Sequence, residues 1–371
     1  MKKPAFVLII LLLILAGISL TAFKNKYPIP PKEKAATNPT KEPELSKKPD
    51  VVTTSKSLFV PYWSLNQSLP LPVEQYDKFI YFGVLGTTSG IAKNDPGYTT
   101  LTTFSNQLDN KKESILAIRM VDHATNIAVL NDLNAENRII DDSIAAAKQY
   151  GFTGILLDLE LTNTFNTSVE NQFNVFVQQF YTQAKLEKLK FYITVYGDTF
   201  YAKRPYDVAT LAKNVDGIMI MAYNLHKAAG EPGPNFPLTG KEKYGYDLKT
   251  MISDFTSLVQ PTRLAVIFGM YGYDWAVDEQ KRPIRQAETL SLNDIRKKFL
   301  GKCTWQDCTV TRDDLSKETE VDYITSEIKD NFAYLYYHIV WFEDETSAQT
   351  KTQYLMQNGI GNVAYWAWGY F

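Results

Sequence analysis

A chain of 371 residues, 45% hydrophobic and 22% charged, reads as an ordinary globular protein with material for one large core or two smaller ones. The formal net charge of -2 argues against a nucleic-acid binder, which would carry a basic surplus or stripe. Aromatic residues make up 13% of the chain, and exposed aromatic faces suit sugar rings, although most such rings in any protein are core.

In chain order, Lys2 and Lys3 precede an uncharged apolar run from Ala5 to Phe23. Its length, about 19 residues, matches the hydrocarbon thickness of a bilayer. Leu20-Thr21-Ala22 makes a poor cleavage site, so residues 1–23 are read as an uncleaved transmembrane anchor in preference to a cleaved secretion signal. Lysines on both sides leave the orientation undecided by charge. From Lys24 to residue 56 the composition is Lys, Pro, Thr and Glu, too polar to fold, and reads as an extended tether.

Residues 57–371 repeat one unit, a short apolar or β-branched run followed by an amphipathic segment. Eight strands are expected: Ser57 to Tyr62, Lys78 to Val84, Ser114 to Met120, Gly154 to Glu160, Lys190 to Tyr196, Gly217 to Tyr223, Arg263 to Met270 and Asn362 to Trp366. Eight is the number that a closed (β/α)8 TIM barrel requires. A doubly wound open sheet would need a glycine-rich turn after the first strand, which Tyr62-Trp63-Ser64-Leu65 does not offer. Two helices carry clear signals. One is expected to end at Gly151, and another to start at a capping box, Thr167-Ser168-Val169-Glu170, with Phe173, Phe176, Val177, Phe180 and Ala184 on one face. Between the seventh and eighth strands lie about 90 residues, too many for one crossover, so an insertion is expected at 276–337 with a helix near Leu292 to Phe299.

The insertion holds both cysteines, Cys303 and Cys308. Outside the cytoplasm they are spaced to close a small disulfide loop; in a reducing compartment they would remain free thiols. With His123, His226 and His338 as the three histidines, no zinc pattern forms, and neither metal nor cofactor is expected.

The informative stretch is the fourth strand, Gly154-Ile155-Leu156-Leu157-Asp158-Leu159-Glu160. Alternate residues of a strand share a face, so Asp158 and Glu160 project together with Leu156 behind them, while Ile155, Leu157 and Leu159 take the other face. Carboxylates there could be merely solvated or cap the next helix. In a closed barrel, however, this strand end is where catalytic groups sit, and Met221-Ala222-Tyr223-Asn224 and Tyr365-Trp366 end the sixth and eighth strands around the same mouth.

These motifs resemble the family 18 glycoside hydrolases, the chitinase-like barrels, whose fourth strand reads Asp-Gly-x-Asp-x-Asp-x-Glu and whose sixth carries Met-x-Tyr-Asp. Trp366 matches the tryptophan that floors the family's sugar site. Gly230-Glu231-Pro232-Gly233-Pro234, Tyr271-Gly272-Tyr273-Asp274-Trp275 and His338-Ile339-Val340-Trp341-Phe342-Glu343-Asp344 are similar to the branch that includes bacterial spore-wall and cortex hydrolases. The resemblance implies hydrolysis of β-1,4 linkages in an N-acetylated polysaccharide by substrate-assisted retaining catalysis, an exception to the two-carboxylate scheme. It implies Glu160 as general acid, Asp158 orienting the acetamido group, Tyr223 bonding its oxygen, Trp366 beneath the ring, and Met221, Asn224 and Tyr271 as further substrate contacts. A monomer with its catalytic domain outside the cytoplasm is implied as well. Three positions depart from the pattern. Thr153 and Leu156 stand where the family has acids, or Asn at the second in the spore-wall branch, and Asn224 replaces Asp. They keep a second reading open, that of a glycan-binding barrel with weak or no turnover.

Overall fold

The computed structural model describes residues 53–65, 70–108, 112–162 and 166–371. The expected membrane segment and the tether up to residue 52 lie outside the described residues. Among the described residues no helix is long and apolar enough to cross a membrane.

All eight expected strands form: Ser55–Pro61, Lys78–Thr87, Glu113–Met120, Gly154–Leu159, Lys190–Tyr196, Gly217–Ala222, Leu264–Gly269 and Asn362–Trp366. Ser55 and Lys56, expected in the tether, already belong to the first strand. Each strand is parallel to its neighbours, and the first pairs both the second, with Phe59 opposite Ile80, and the eighth, with Ser57 opposite Ala364, so the sheet closes. A closed parallel sheet is buried on both faces, which is why the fourth strand is apolar throughout and every residue of it is buried. Ile80, Ile115, Leu156, Met219, Ile267 and Ala364 fill the barrel interior. Ile155, Leu157 and Leu159 point outward to the helical layer, in the same core as Phe173, Phe176 and Phe180. Each such ring removed from water contributes about 2 kcal/mol.

Two helices fix the fourth strand from either side. The preceding helix, Leu133–Gln149, ends with Tyr150 and then Gly151 at φ +74°, a left-handed turn that glycine adopts without steric cost. The following helix, Thr167–Leu186, buries the five residues expected of it, but its cap is one residue earlier than the sequence suggested. Asn166 sits in extended backbone and its side chain accepts the N–H groups of Ser168 and Val169, whereas Thr167 is already helical. Asparagine outranks threonine as a cap and takes the role. Asn166→Ala is expected to cost about 1 kcal/mol, read as a lowered midpoint in urea unfolding.

The segment between the seventh and eighth strands is an antiparallel five-stranded sheet, with Glu288–Ser291, Tyr271–Val277, Phe332–Phe342, Thr319–Lys329 and Gln306–Arg312 in spatial order. The bounds expected for the insertion, 276–337, cut through its two central strands. Those strands begin at Tyr271 and end at Phe342, so the apolar runs at 271–275 and 338–342 belong to this sheet and not to barrel crossovers. Gly272 permits the junction, since a Cβ there would come within 2.2 Å of the Trp341 carbonyl oxygen. The expected helix is present as one turn at Leu292–Ile295 continued in a π-helical turn to Leu300. Cys303 and Cys308 are joined as a disulfide.

Candidate active site

The two carboxylates sit where strand geometry places them. Asp158 and Glu160 follow Leu156 on the inward face of the fourth strand, and Leu156 is fully buried in the barrel interior below them. The end of this strand is pinned: the Glu160 N–H donates to the Met120 carbonyl at 2.9 Å, and Asn126 Nδ2 donates to the Glu160 carbonyl at 2.8 Å. The Tyr206 hydroxyl accepts the Leu161 N–H at 2.8 Å and donates to the Leu159 carbonyl at 3.1 Å. Both side chains therefore project from backbone with little freedom to move.

The fifth strand supplies a partner for each acid. Thr194, itself buried, donates its hydroxyl to Asp158 Oδ1, and two residues on, the Tyr196 hydroxyl donates to Glu160 Oε2. Arg204 lies over the Tyr196 ring, 3.8 Å from its centroid, and is clamped by Asp198 through contacts of 2.5 and 2.7 Å. A cation on a ring face attracts the ring's electrons and holds the ring in place. None of these four residues stood out in the sequence, yet the alternation Tyr192, Thr194, Tyr196 along a marked strand already put a hydroxyl row on the inward face.

Burial and the nearby charge of Glu160 push the Asp158 carboxyl well above the ordinary carboxylate range. Burial also raises Glu160, against the opposing pull of the Tyr196 hydrogen bond and the charges of Arg204 and Lys227. Two buried acids whose charges act on each other are costly to ionise together, which favours keeping a proton on one of them.

Tyr223 directly follows the sixth strand, its hydroxyl held neutral by burial first and then by the charges of Asp158 and Glu160. Met221 is buried in the barrel interior beneath it, and its carbonyl accepts the Gly197 N–H at 2.9 Å. Tyr271 stands edge-on to Tyr223, with ring centroids 6.1 Å apart. Asn224 adopts left-handed backbone, φ 61°, and its Oδ1 accepts hydroxyls from Tyr271 at 2.5 Å and Tyr273 at 2.7 Å. Asparagine tolerates that conformation where most residues do not. The departure at 224 thus ties the barrel to the inserted sheet. Trp366 is partly exposed and is gripped by the edges of Phe59, Phe82 and Trp63 at 5.6, 4.7 and 6.2 Å. Trp63 is 43% exposed and extends the aromatic wall into solvent. Thr153 is remote from the mouth, its hydroxyl bonded to the Ser114 carbonyl at 2.9 Å at the start of the strand.

The chain matches the model of glycosyl hydrolases family 18 over residues 59–370, nearly all of the described barrel. It belongs to that family. It is 25% identical over 247 residues to "Uncharacterized glycosylase YvbX" of Bacillus subtilis (strain 168), covering 65% of this chain and 64% of the relative. To the "Cortical fragment-lytic enzyme" of Bacillus anthracis it is 22% identical, covering 65% of this chain and 52% of the relative, so the chain spans about half to two thirds of these proteins. In structure it resembles the Bacillus cereus spore cortex-lytic enzyme SleL, with TM-score 0.65 at 18% identity over 86% of this chain and 72% of the other, which places the fold in that company. The likeness to the spore cortex branch read from the motifs therefore holds at the level of relatives and of fold.

Proposed function

We propose that the barrel hydrolyses β-1,4 linkages in an N-acetylated glycan, chitin-like or peptidoglycan, by substrate-assisted retaining catalysis. The observation that carries this is a pair of carboxyls, Asp158 and Glu160, side by side on the inward face at the mouth of a closed barrel, each held by a hydroxyl of the next strand, with an aromatic wall nearby. Glu160 donates the proton to the leaving oxygen. The substrate's own acetamido oxygen attacks the anomeric carbon from the other side of the ring, the glycosidic bond breaks, and a cyclic oxazolinium forms. Asp158 accepts the acetamido N–H and stabilises the positive charge, while the Tyr223 hydroxyl donates to the acetamido oxygen. An N–H donated to Asp158 favours its charged form, so substrate binding drives the shared proton to Glu160, where it is needed. Water then opens the oxazolinium, with Glu160 as base. Met221 and Tyr271 bound the acetamido pocket, Asn224 positions Tyr271, and Trp366 lies beneath the ring.

The Cys303–Cys308 disulfide supports a domain held in an oxidising compartment outside the cytoplasm, tethered by the apolar segment at 5–23 or released by its cleavage. A monomer suffices, since one barrel supplies every group named above.

The test is mass spectrometry of products from chitin oligomers and from purified peptidoglycan incubated with the fragment from Ser55 onward. Newly formed reducing ends are expected, and proton NMR of the first products should show retained anomeric configuration. A second reading, a glycan-binding barrel without turnover, draws on the burial of Leu156 beneath Asp158, where the family pattern has an acid. Saturable binding by calorimetry with no product from either polymer would establish that reading instead.

A further inference from the structure

We propose that Thr194 is the positioning residue that turns Asp158 and favours its charged form in this chain, from the neighbouring strand, in place of an acid beneath it on its own strand. This rests on the catalytic reading above. Leu156 is fully buried below Asp158 and offers no polar atom, so nothing on the fourth strand can share a proton with that carboxyl. Thr194 is buried, sits on the fifth strand, and donates its hydroxyl to Asp158 Oδ1; among the described residues no other side chain is recorded donating to that carboxylate.

The chemistry follows from the atoms involved. A threonine side chain is stiff at χ1, so its hydroxyl is held in one place by the strand itself. With Oδ1 engaged, Oδ2 is left to accept the substrate acetamido N–H, and the carboxylate plane is fixed by one partner before substrate arrives. A hydroxyl donor also favours the charged form, the opposite of what burial and Glu160 do. Threonine cannot take up the proton as a second carboxyl would. The exchange is thereby confined to Asp158 and Glu160.

The titratable groups facing Asp158 are few. Glu160 lies on its own strand and raises it. From the sixth strand comes the neutral hydroxyl of Tyr223, and from the segment after the fifth that of Tyr206, which is committed to the Leu159 carbonyl. Arg119 is opposite Asp158 in register on the third strand but is paired with Asp95 at 2.9 Å. None of these replaces the hydroxyl of Thr194 as a donor to Asp158.

The experiment compares full-length protein with Thr194→Val, which has nearly the same shape without the donor, and Thr194→Ser, which restores the hydroxyl. Carbon-13 NMR of aspartate-labelled protein follows the Asp158 carboxyl, identified by its disappearance in Asp158→Asn, and pH–rate profiles are taken where product forms. In Thr194→Val the Asp158 titration and the acid limb of kcat/KM are expected to move up by about one pH unit, with about a tenfold loss of kcat/KM below pH 6 that narrows at higher pH. Thr194→Ser is expected to return both to the wild-type position. An unchanged Asp158 titration in Thr194→Val overturns the proposal, and so does an equal shift in both variants, which would assign the effect to packing. If no product forms from any polymer, the catalytic reading fails while the carboxyl titration still decides the role of Thr194.

Discussion

Glu160→Gln is expected to lower kcat on polymeric substrate by at least about 10³-fold while leaving oligosaccharide affinity within about threefold. The leaving oxygen of a glycan needs a proton as the bond breaks, and general acid catalysis by a placed carboxyl is worth about 10² to 10⁴. Glutamine keeps the shape and can accept the Tyr196 hydroxyl as Glu160 does, so the pocket remains intact. Substrates with an activated aryl leaving group need little protonation, and on them the loss should shrink to about tenfold. That split between substrates separates an absent acid from a damaged site. Equal loss on both, or none on either, removes Glu160 from the role. Asp158→Asn should fail on both, because the oxazolinium has then lost its countercharge. The same variant should be more stable than wild type at alkaline pH. Asp158 is raised in the folded state, so between its unfolded and folded values the folded protein binds more protons, and stability falls as pH rises through that window. An uncharged residue removes the penalty, and calorimetric unfolding at pH 6 and pH 9 measures it.

The barrel was legible because its rule is local. A strand buried on both faces must be apolar at every position until its end, and eight such runs with intervening amphipathic segments leave few other folds. Asp158, Glu160 and Tyr223 were legible for the same reason, being the residues at which apolar runs turn polar. What the sequence concealed depends on contacts across strands. Thr194 and Tyr196 lie on a strand whose ends were expected correctly, but nothing in its pattern says that their hydroxyls reach the neighbouring strand's carboxyls. The inserted sheet was underestimated because Tyr271–Val277 follows a barrel strand with Met270 alone between, so one apolar run reads through the change of sheet. Asn224 looked like a lost charge; in the fold it is a left-handed residue accepting two tyrosyl hydroxyls from that sheet. The helix cap at Asn166 shifted by one residue because two acceptable caps stand next to each other and the stronger acceptor wins.

Lys351→Met is expected to destabilise the domain by about 3 to 5 kcal/mol, the largest loss foreseen for any single substitution outside the mouth. Lys351 is completely buried on the helix Glu345–Gln357 and contacts both Glu318, at 2.7 Å, and Glu343, each of them also buried and each from the inserted sheet or its edge. Burial lowers its tendency to hold a proton, but the two carboxylates outweigh this and raise it above the ordinary lysine value. Glu343 is pushed up to about 7, by burial first and against the pull of Lys351. Two carboxyls share one ammonium, so removing the cation strands both, whereas Glu343→Gln leaves Lys351 and Glu318 as a balanced pair and should cost far less. Without the lysine, Glu343 loses the ammonium that opposes the effect of its burial and must fold protonated. The folded state of the variant then binds more protons than the unfolded chain, and its deficit is greatest at alkaline pH and shrinks as pH falls toward the ordinary carboxylate range. The damage should also reach the mouth. Glu318 accepts the backbone N–H groups of Asn235, at 2.5 Å, and Phe236, at 2.8 Å, and Asn235 Oδ1 accepts the N–H of Asn224 at 2.7 Å. Releasing Glu318 therefore loosens the turn that carries Asn224 and, through it, the Tyr271 hydroxyl beside Tyr223. A lowered kcat in Lys351→Met at a temperature where the variant is still fully folded, recovered in part by adding Glu343→Gln, would mark this ion cluster as the brace between the inserted sheet and the barrel mouth; full activity with wild-type melting behaviour would show that it braces nothing.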